Sequence, residues 1–331
     1  MARIKDVAEL VGVNRSTVSR IINGEGKFRE DTVRKVHEAM AQLNYRPSAV
    51  ARSLATSSTN MIGLLVTYYT GGFFGEMMEQ IQSELDLHKK FLITAQGHQC
   101  LEGEKEAIQR FRDLRCDGYV LHSRYLTDDE LRSLATQPTP FVLLDRYVEG
   151  LEERCITFDH CKASYLAVQH LITQGHKKIG CLTGPVNRNN ARERVKGYLN
   201  ATADAGLPMD ISWSEAGDYG RRSGYKAMDI LLKRHPDISG LFSCSEEMTS
   251  GALQYLHENN IKVPDQISII SFDSVDLCES LYPSVSAVHF PISDMARSAV
   301  QVLTGLISNQ PCPGIRQFES ELRLRDSSVT L

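Results

Sequence analysis

From Met61 onward, short apolar runs alternate with longer stretches of helical periodicity, and that alternation leaves few folds open to the chain. Runs at 61–66, 91–94, 118–121, 141–144 and 155–158 read as buried strands, with helices expected over 74–87 and 102–114. Strand, helix, strand in succession closes a parallel sheet through crossover connections, so this half is read as an open parallel α/β sheet. A second set follows, with helices at 162–174, 191–205, 221–232 and 248–259 and strands at 178–182, 241–244 and 267–271. Two similar lobes facing one another are expected, and a ligand in such sheets binds beyond the carboxyl ends of the strands.

The first sixty residues follow a different rule. Ile4, Val7, Ala8 and Val11 recur at i, i+3, i+4 and i+7, and Gly12 supplies a tight turn. A second helix follows, with Asn14 placed to cap its start and Gly24 to end it. Its apolar stripe is Val18, Ile21 and Ile22, and its opposite face carries Arg15, Ser16, Ser19 and Arg20. This is a helix-turn-helix pattern, whose second helix can enter a major groove and set arginine against guanine. An ordinary helical hairpin with a solvated polar face shares the periodicity. Val33, Val36, Met40 and Leu43 add a third helix that closes a small core.

Charge separates those readings. Residues 1–60 hold ten basic and six acidic side chains, a balance of +4 in a chain of net −4, so the rest carries −8. A basic head on an acidic body suits a partner that is a polyanion.

Other features narrow the functional classes. No apolar run approaches the roughly 20 residues that span a bilayer, and the N-terminus lacks a signal-peptide core, so a cytoplasmic protein is expected. The eight cysteines form no C-x-x-C pair and read as reduced structural thiols. His160 beside Cys161 is too little for a metal site, and no P-loop, G-x-S-x-G or H-E-x-x-H occurs, so neither metal nor cofactor nor enzymatic activity is expected. Glu246 and Glu247 start a helix as neighbours, and neighbours there diverge, which argues against a glycosidase pair.

The runs Ile4-Lys5-Asp6-Val7-Ala8, Gly12-Val13, Thr17-Val18-Ser19-Arg20, Ile22-Asn23-Gly24, Tyr45-Arg46-Pro47 and Ala51-Arg52-Ser53-Leu54-Ala55 together resemble the DNA-binding headpiece of the lactose/galactose repressor family of bacterial transcriptional regulators. Phrases in the body, among them Phe73-Phe74-Gly75-Glu76-Met77, His122-Ser123 and Asp128-Asp129-Glu130-Leu131, are most similar to its galactose repressor and isorepressor branch. The resemblance implies an α/β bilobed body like that of periplasmic binding proteins, two open parallel sheets, behind an all-α helix-turn-helix headpiece. The expected division is 1–47 for the headpiece, 48–60 for a hinge helix and linker, and 61–331 for the body. Within the body the lobes would be about 61–158 plus part of 287–331, and about 159–286.

Function follows as an expectation: a homodimeric repressor on near-palindromic operator DNA, controlled by a small-molecule effector. No leucine heptads follow Leu324-Arg325, so no tetramer is expected. Arg15, Ser16 and Arg20 are candidate base readers, with Asn14, Thr17, Ser19 and Asn23 on phosphates. In the family, paired hinge helices enter the minor groove and a leucine wedges between base pairs; the matching residue is Leu54, flanked by Arg52 and Ala55. An anchor of the linker on the body is the alternative for Leu54.

Strand ends supply the candidate effector residues: Tyr69, with Tyr68, then Phe73, Phe74, Asp145, Arg146, Arg188, Asn190, Arg194, Tyr219, Ser245, Glu246 and Asp273. Carboxylates and guanidinium groups suit hydroxyls, and aromatics suit the apolar face of a ring, so a sugar such as galactose or a β-glucoside is expected. A nucleoside or purine is the alternative, and a sugar-processing enzyme a remote one. Phe73 and Phe74 also fit core packing, Arg194 and Asp273 a structural salt bridge, and Trp213 either pocket or surface. Ser245-Glu246 departs from the Asn-Asp common at this strand end in the family, which puts plain galactose in doubt.

Overall fold

The computed structural model describes residues 2–45, 58–208, 210–310, 314 and 316–331; Arg52, Leu54 and Ala55 lie outside the described residues. The chain divides into two compact units, Met1–Met61 with Arg115–Asp117, and Ile62–Leu114 with Gly118–Leu331.

In the first unit, helices α1 (Ile4–Val11), α2 (Arg15–Ile22) and α3 (Glu30–Gln42) enclose Val7, Ala8, Val18, Ile21, Val36 and Ala39. The three apolar stripes therefore meet as their spacing requires. Gly12, at φ +75°, ends α1 in the left-handed conformation, and its amide bonds the Ala8 carbonyl. Asn14 stands at the N-cap of α2 without a side-chain capping bond, unlike the cap that the sequence suggests. Asp117 accepts hydrogen bonds from the Ser58 hydroxyl and the Thr59 amide, at 2.6 and 2.8 Å, which fixes the chain where it leaves residue 58.

The second unit contains β1 (Met61–Val66), α4 (Gly72–Leu87), β2 (Phe91–Gln96), α5 (Leu101–Asp113), β3 (Gly118–Leu121), α6 (Asp128–Ala135), β4 (Phe141–Leu144) and β5 (Cys155–Phe158). There follow α7 (His160–Thr173), β6 (Ile179–Thr183), α8 (Asn189–Asp204), β7 (Ser214–Ala216), α9 (Arg221–Arg234), β8 (Gly240–Ser243), α10 (Glu246–Glu258) and β9 (Ser268–Asp273). The chain finishes with α11 (Leu277–Ser280), β10 (Ser286–His289), α12 (Ile292–Ser308), β11 (Gln317–Phe318) and β12 (Glu321–Arg323). Two sheets result, in the orders β11-β5-β4-β3-β1-β2 and β12-β10-β9-β8-β6-β7. The ladders β1–β3, β3–β4, β4–β5 and β5–β11 are parallel, as are β6–β7, β6–β8, β8–β9 and β9–β10, whereas β12 runs antiparallel to β10. Their central strands are apolar on both faces because helices cover both.

Sequence periodicity missed α6, β7, α11, β10, α12 and the two short final strands. The largest of these, α12, lays Met295, Ala296, Ala299, Val300 and Leu303 against α4 and the strands of the first lobe. Among the described residues the chain passes between lobes three times: at Asp159, at Phe290–Pro291 and at 319–320. These links lie together, since the Phe290 ring is 4.7 Å from Phe158 and 5.4 Å from His160, and Lys162 Nζ meets Glu319 at 2.9 Å.

Helices α9 and α10 approach through glycines. A Cβ on Gly251 would lie 1.9 Å from the Arg221 carbonyl oxygen, and one on Gly224 would lie 2.2 Å from that of Met248. Backbone cannot yield as a side chain can, so Gly251→Ala is expected to destabilise the body by about 3 kcal/mol or more. Urea denaturation measures this, and a loss under about 1 kcal/mol would mean that the helices part at little cost.

Candidate functional site

A cavity of about 290 Å³ lies between the lobes at the carboxyl ends of the strands. Tyr68 follows β1, Phe73 and Phe74 begin α4, His122 and Arg124 follow β3, and Asp145 follows β4. From the other lobe come Arg188 and Asn190 after β6, Arg194 on α8, Tyr219 after β7, Ser245 and Glu246 after β8, and Asp273 at the end of β9. Phe272 and Phe290 complete the apolar wall. Ring planes of Phe73 and Phe290 lie 6° apart at 5.6 Å, so the first lobe's helix start stacks on a link residue in the cavity wall.

Two expected lining residues are not there. Tyr69 is 47% exposed and touches no part of the cavity, because the chain leaves β1 so that Tyr68 faces inward. Arg146 is turned away by the left-handed conformation of Asp145 (φ +57°) and pairs with Asp128 at 2.7 Å. It lines a second cavity of about 680 Å³ adjoining the first. Trp213 is not a lining residue either; it stacks on His235 at 3.9 Å. Conversely, His122, Arg124, Phe272, Phe290 and Glu247 were missed. The strand-end rule covered the first three, while Phe290 follows a strand that the sequence hid. Glu246 and Glu247 both line the cavity, yet they reach different partners. The carboxylate of Glu247 closes on Gly71, where a Cβ would stand 3.0 Å from it, and Glu246 bonds Ser274.

A buried polar network joins the lobes behind these walls. Arg124 donates to Asp145 Oδ2 at 2.5 Å and His160 Nε2 donates to Oδ1 at 2.8 Å. Arg194 Nε in turn donates to His160 Nδ1 at 3.2 Å, Nη1 bonds the Cys244 carbonyl, and the guanidinium lies 3.9 Å over the Phe272 ring. Those bonds fix His160 as the neutral tautomer protonated on Nε2. Burial holds its pKa below the ordinary value, and burial with the Arg124 charge does the same for His122. Burial alone would raise Asp145, but His160 and Arg124 hold it well below the usual carboxylate range. Arg194 and Asp273 are thus not partners: the cation nearest Asp273 is Arg325, at 3.8 Å.

The opposite wall is acidic and under-paired. Neither oxygen of buried Asp273 accepts a hydrogen bond among the described residues, and burial raises its pKa. Burial pushes Glu246 up to about 6 despite the bond donated by Ser274 at 2.5 Å. Between the ordinary 4.5 and about 6 the folded chain keeps a proton that the unfolded chain has released, so stability falls as pH rises through this window. The full cost above it is about 2 kcal/mol. Glu246→Gln is therefore expected to be more stable than the parent by about that amount near neutral pH and to lose the advantage below pH 4.5, as read by urea denaturation at each pH. A pH-independent difference would place the cause elsewhere than ionisation.

In the first unit the exposed face of α2 carries Asn14, Arg15, Ser16 and Arg20, with Thr17, Ser19 and Asn23 half-buried. Arg15 has no side-chain partner among the described residues, whereas Arg20 lies over the Phe28 ring at 5.5 Å and against Gly26. A free guanidinium beside a steered one on an exposed helix is an arrangement that can meet base edges.

The model of the lacI family of bacterial regulatory proteins matches residues 3–48, and that of the periplasmic binding protein-like domain matches 168–328. The HTH-type transcriptional regulator GalR of Escherichia coli is 36% identical over 330 residues, covering all of this chain and 96% of the relative. This chain belongs to the lacI family. As a lacI-family protein it is a DNA-binding transcriptional regulator with a small-molecule site in its body. A second relative, the E. coli transcriptional regulator AscG, is 31% identical with 99% of each chain covered. A solved sugar-binding lacI-family regulator from E. coli, complexed with phosphate, is 30% identical, matches at a TM-score of 0.75, and covers 83% of this chain and all of its own. No helix among the described residues is long and apolar enough to cross a membrane.

Proposed function

We propose that this regulator is a cytoplasmic repressor of carbohydrate-utilisation genes that binds near-palindromic operator DNA as a homodimer and releases it when a sugar enters the interlobe cavity. The observation that carries the reading is the lining itself: buried acids, one of them with neither oxygen hydrogen-bonded, guanidinium groups and stacked phenyl rings converge from both lobes on one ring-sized space. Asp273, Glu246 and Arg194 would bond hydroxyls, and Phe73 and Phe290 would cover an apolar ring face. Arg15, Ser16 and Arg20 would read bases, with Asn14, Thr17, Ser19 and Asn23 on phosphates, two headpieces giving two half-sites. The effector is bound and not consumed.

Selection from a palindromic operator library at fixed salt, repeated with galactose, β-glucosides and nucleosides, tests the reading. Release by one sugar, recovered chemically unchanged, is the expected result. Binding that requires an added small molecule would make the effector a corepressor, release by a nucleoside alone would reassign the ligand class, and failure to select any sequence would remove the operator claim.

A further inference from the structure

Arg188 stands where the two interlobe cavities meet, lining both. Two other charged residues share that position, Arg124 and Asp145, and they are bonded to each other. The Arg188 side chain has no carboxylate or hydrogen-bond partner among the described residues, and its Nε is fully buried. Its guanidinium lies 5.9 Å from the Tyr68 ring of the facing lobe, which leaves its donor edge free for something in the cleft. A buried donor without an acceptor costs the fold stability that a ligand can restore. The buried acids Glu246 and Asp273 line only the first cavity, so that cavity carries acceptors for hydroxyls while an unmatched cation stands where it opens into the second.

We infer that the effector is a sugar bearing an anionic substituent, a carboxylate or a phosphate, which Arg188 grips while Asp273 and Glu246 hold ring hydroxyls. This rests on the sugar reading above. A planar guanidinium bonds either anion through two parallel N–H groups, a geometry that a neutral hydroxyl cannot match. The second cavity gives the substituent room: Arg146 there is already paired with Asp128, and Arg192, which bonds only neutral oxygens of Asn187 and Asn189, adds a second cation beside the lining acids Asp159 and Glu193.

The test is calorimetric titration of the full-length protein at constant ionic strength with galactose, galacturonate and galactose 6-phosphate, and with a β-glucoside and its 6-phosphate. An acidic form is expected to bind about tenfold to hundredfold more tightly than its neutral parent. The carboxylate and phosphate arms distinguish the two sources of charge. Arg188→Gln, checked for folding by thermal melting, is expected to erase the preference, and Arg188→Lys to retain part of it by keeping charge without the fork. Equal binding of acidic and neutral sugars, or a preference that survives Arg188→Gln, overturns the inference and leaves the sugar reading standing. Binding of none of these five compounds, with binding of a nucleoside titrated alongside them as a control, overturns both.

Discussion

Asp145→Ala is expected to cost about 3–5 kcal/mol of folding stability, the range for breaking one side of a buried charge pair. Asp145 accepts from Arg124 and from His160, and the side chains of both donors are largely buried. Removing the acceptor leaves a guanidinium unneutralised in the first lobe and an imidazole N–H unbonded in the second. Urea denaturation near neutral pH measures the loss, and a cost under about 1 kcal/mol would mean that water enters the network and replaces the carboxylate. The same groups fix an acid limit. The pKa values of His122 and His160 are lowered by burial, and that of Asp145 is lowered by its partners, so stability is lost as pH falls below 6.5 for the histidines and then through the carboxylate range. Glu246 works in the opposite direction, and the two trends together predict a shallow maximum rather than a plateau.

Asp273→Asn is expected to leave operator binding intact, to weaken effector binding on the order of a hundredfold or more, and to leave the protein at least as stable as the parent. The three outcomes share one cause. Neither carboxylate oxygen is well bonded within the fold, and burial outweighs the Arg325 charge 3.8 Å away and raises the pKa, so the charge at position 273 burdens the folded state and is better met when a ligand donates to it. Operator titration with and without the releasing sugar reads the first two effects, and denaturation the third. A variant that is destabilised yet still responsive would make Asp273 a partner of Arg325 and no part of the ligand site.

The sequence made the lobes legible because strand and helix differ in period, and it made most of the cavity legible because parallel strands all end on the same side. Its failures have local physical reasons. Tyr68 and Tyr69 could not be told apart because side-chain alternation stops where the strand does, and only Tyr68 lines the cavity. Arg146 was misplaced because Asp145 adopts φ +57°, a turn that no periodicity announces and that sends the next residue to another cavity. Phe290 escaped because β10 is short and carries Ser286 and His289, so its burial depends on the strands beside it. The Asp145–His160–Arg194 chain joins residues up to 49 positions apart (145 to 194), which is information about packing and not about any one stretch.

Three short links, at Asp159, Phe290–Pro291 and 319–320, join the lobes side by side. Two bodies joined at one point can tumble freely, and joined at two they keep a swinging axis. A third tether beside the others removes sliding and twisting and leaves essentially one free coordinate, the angle of the cleft. A molecule in the cavity therefore acts on the body chiefly through that angle, and chemically unlike ligands that hold the same angle would leave the two lobes in one and the same arrangement.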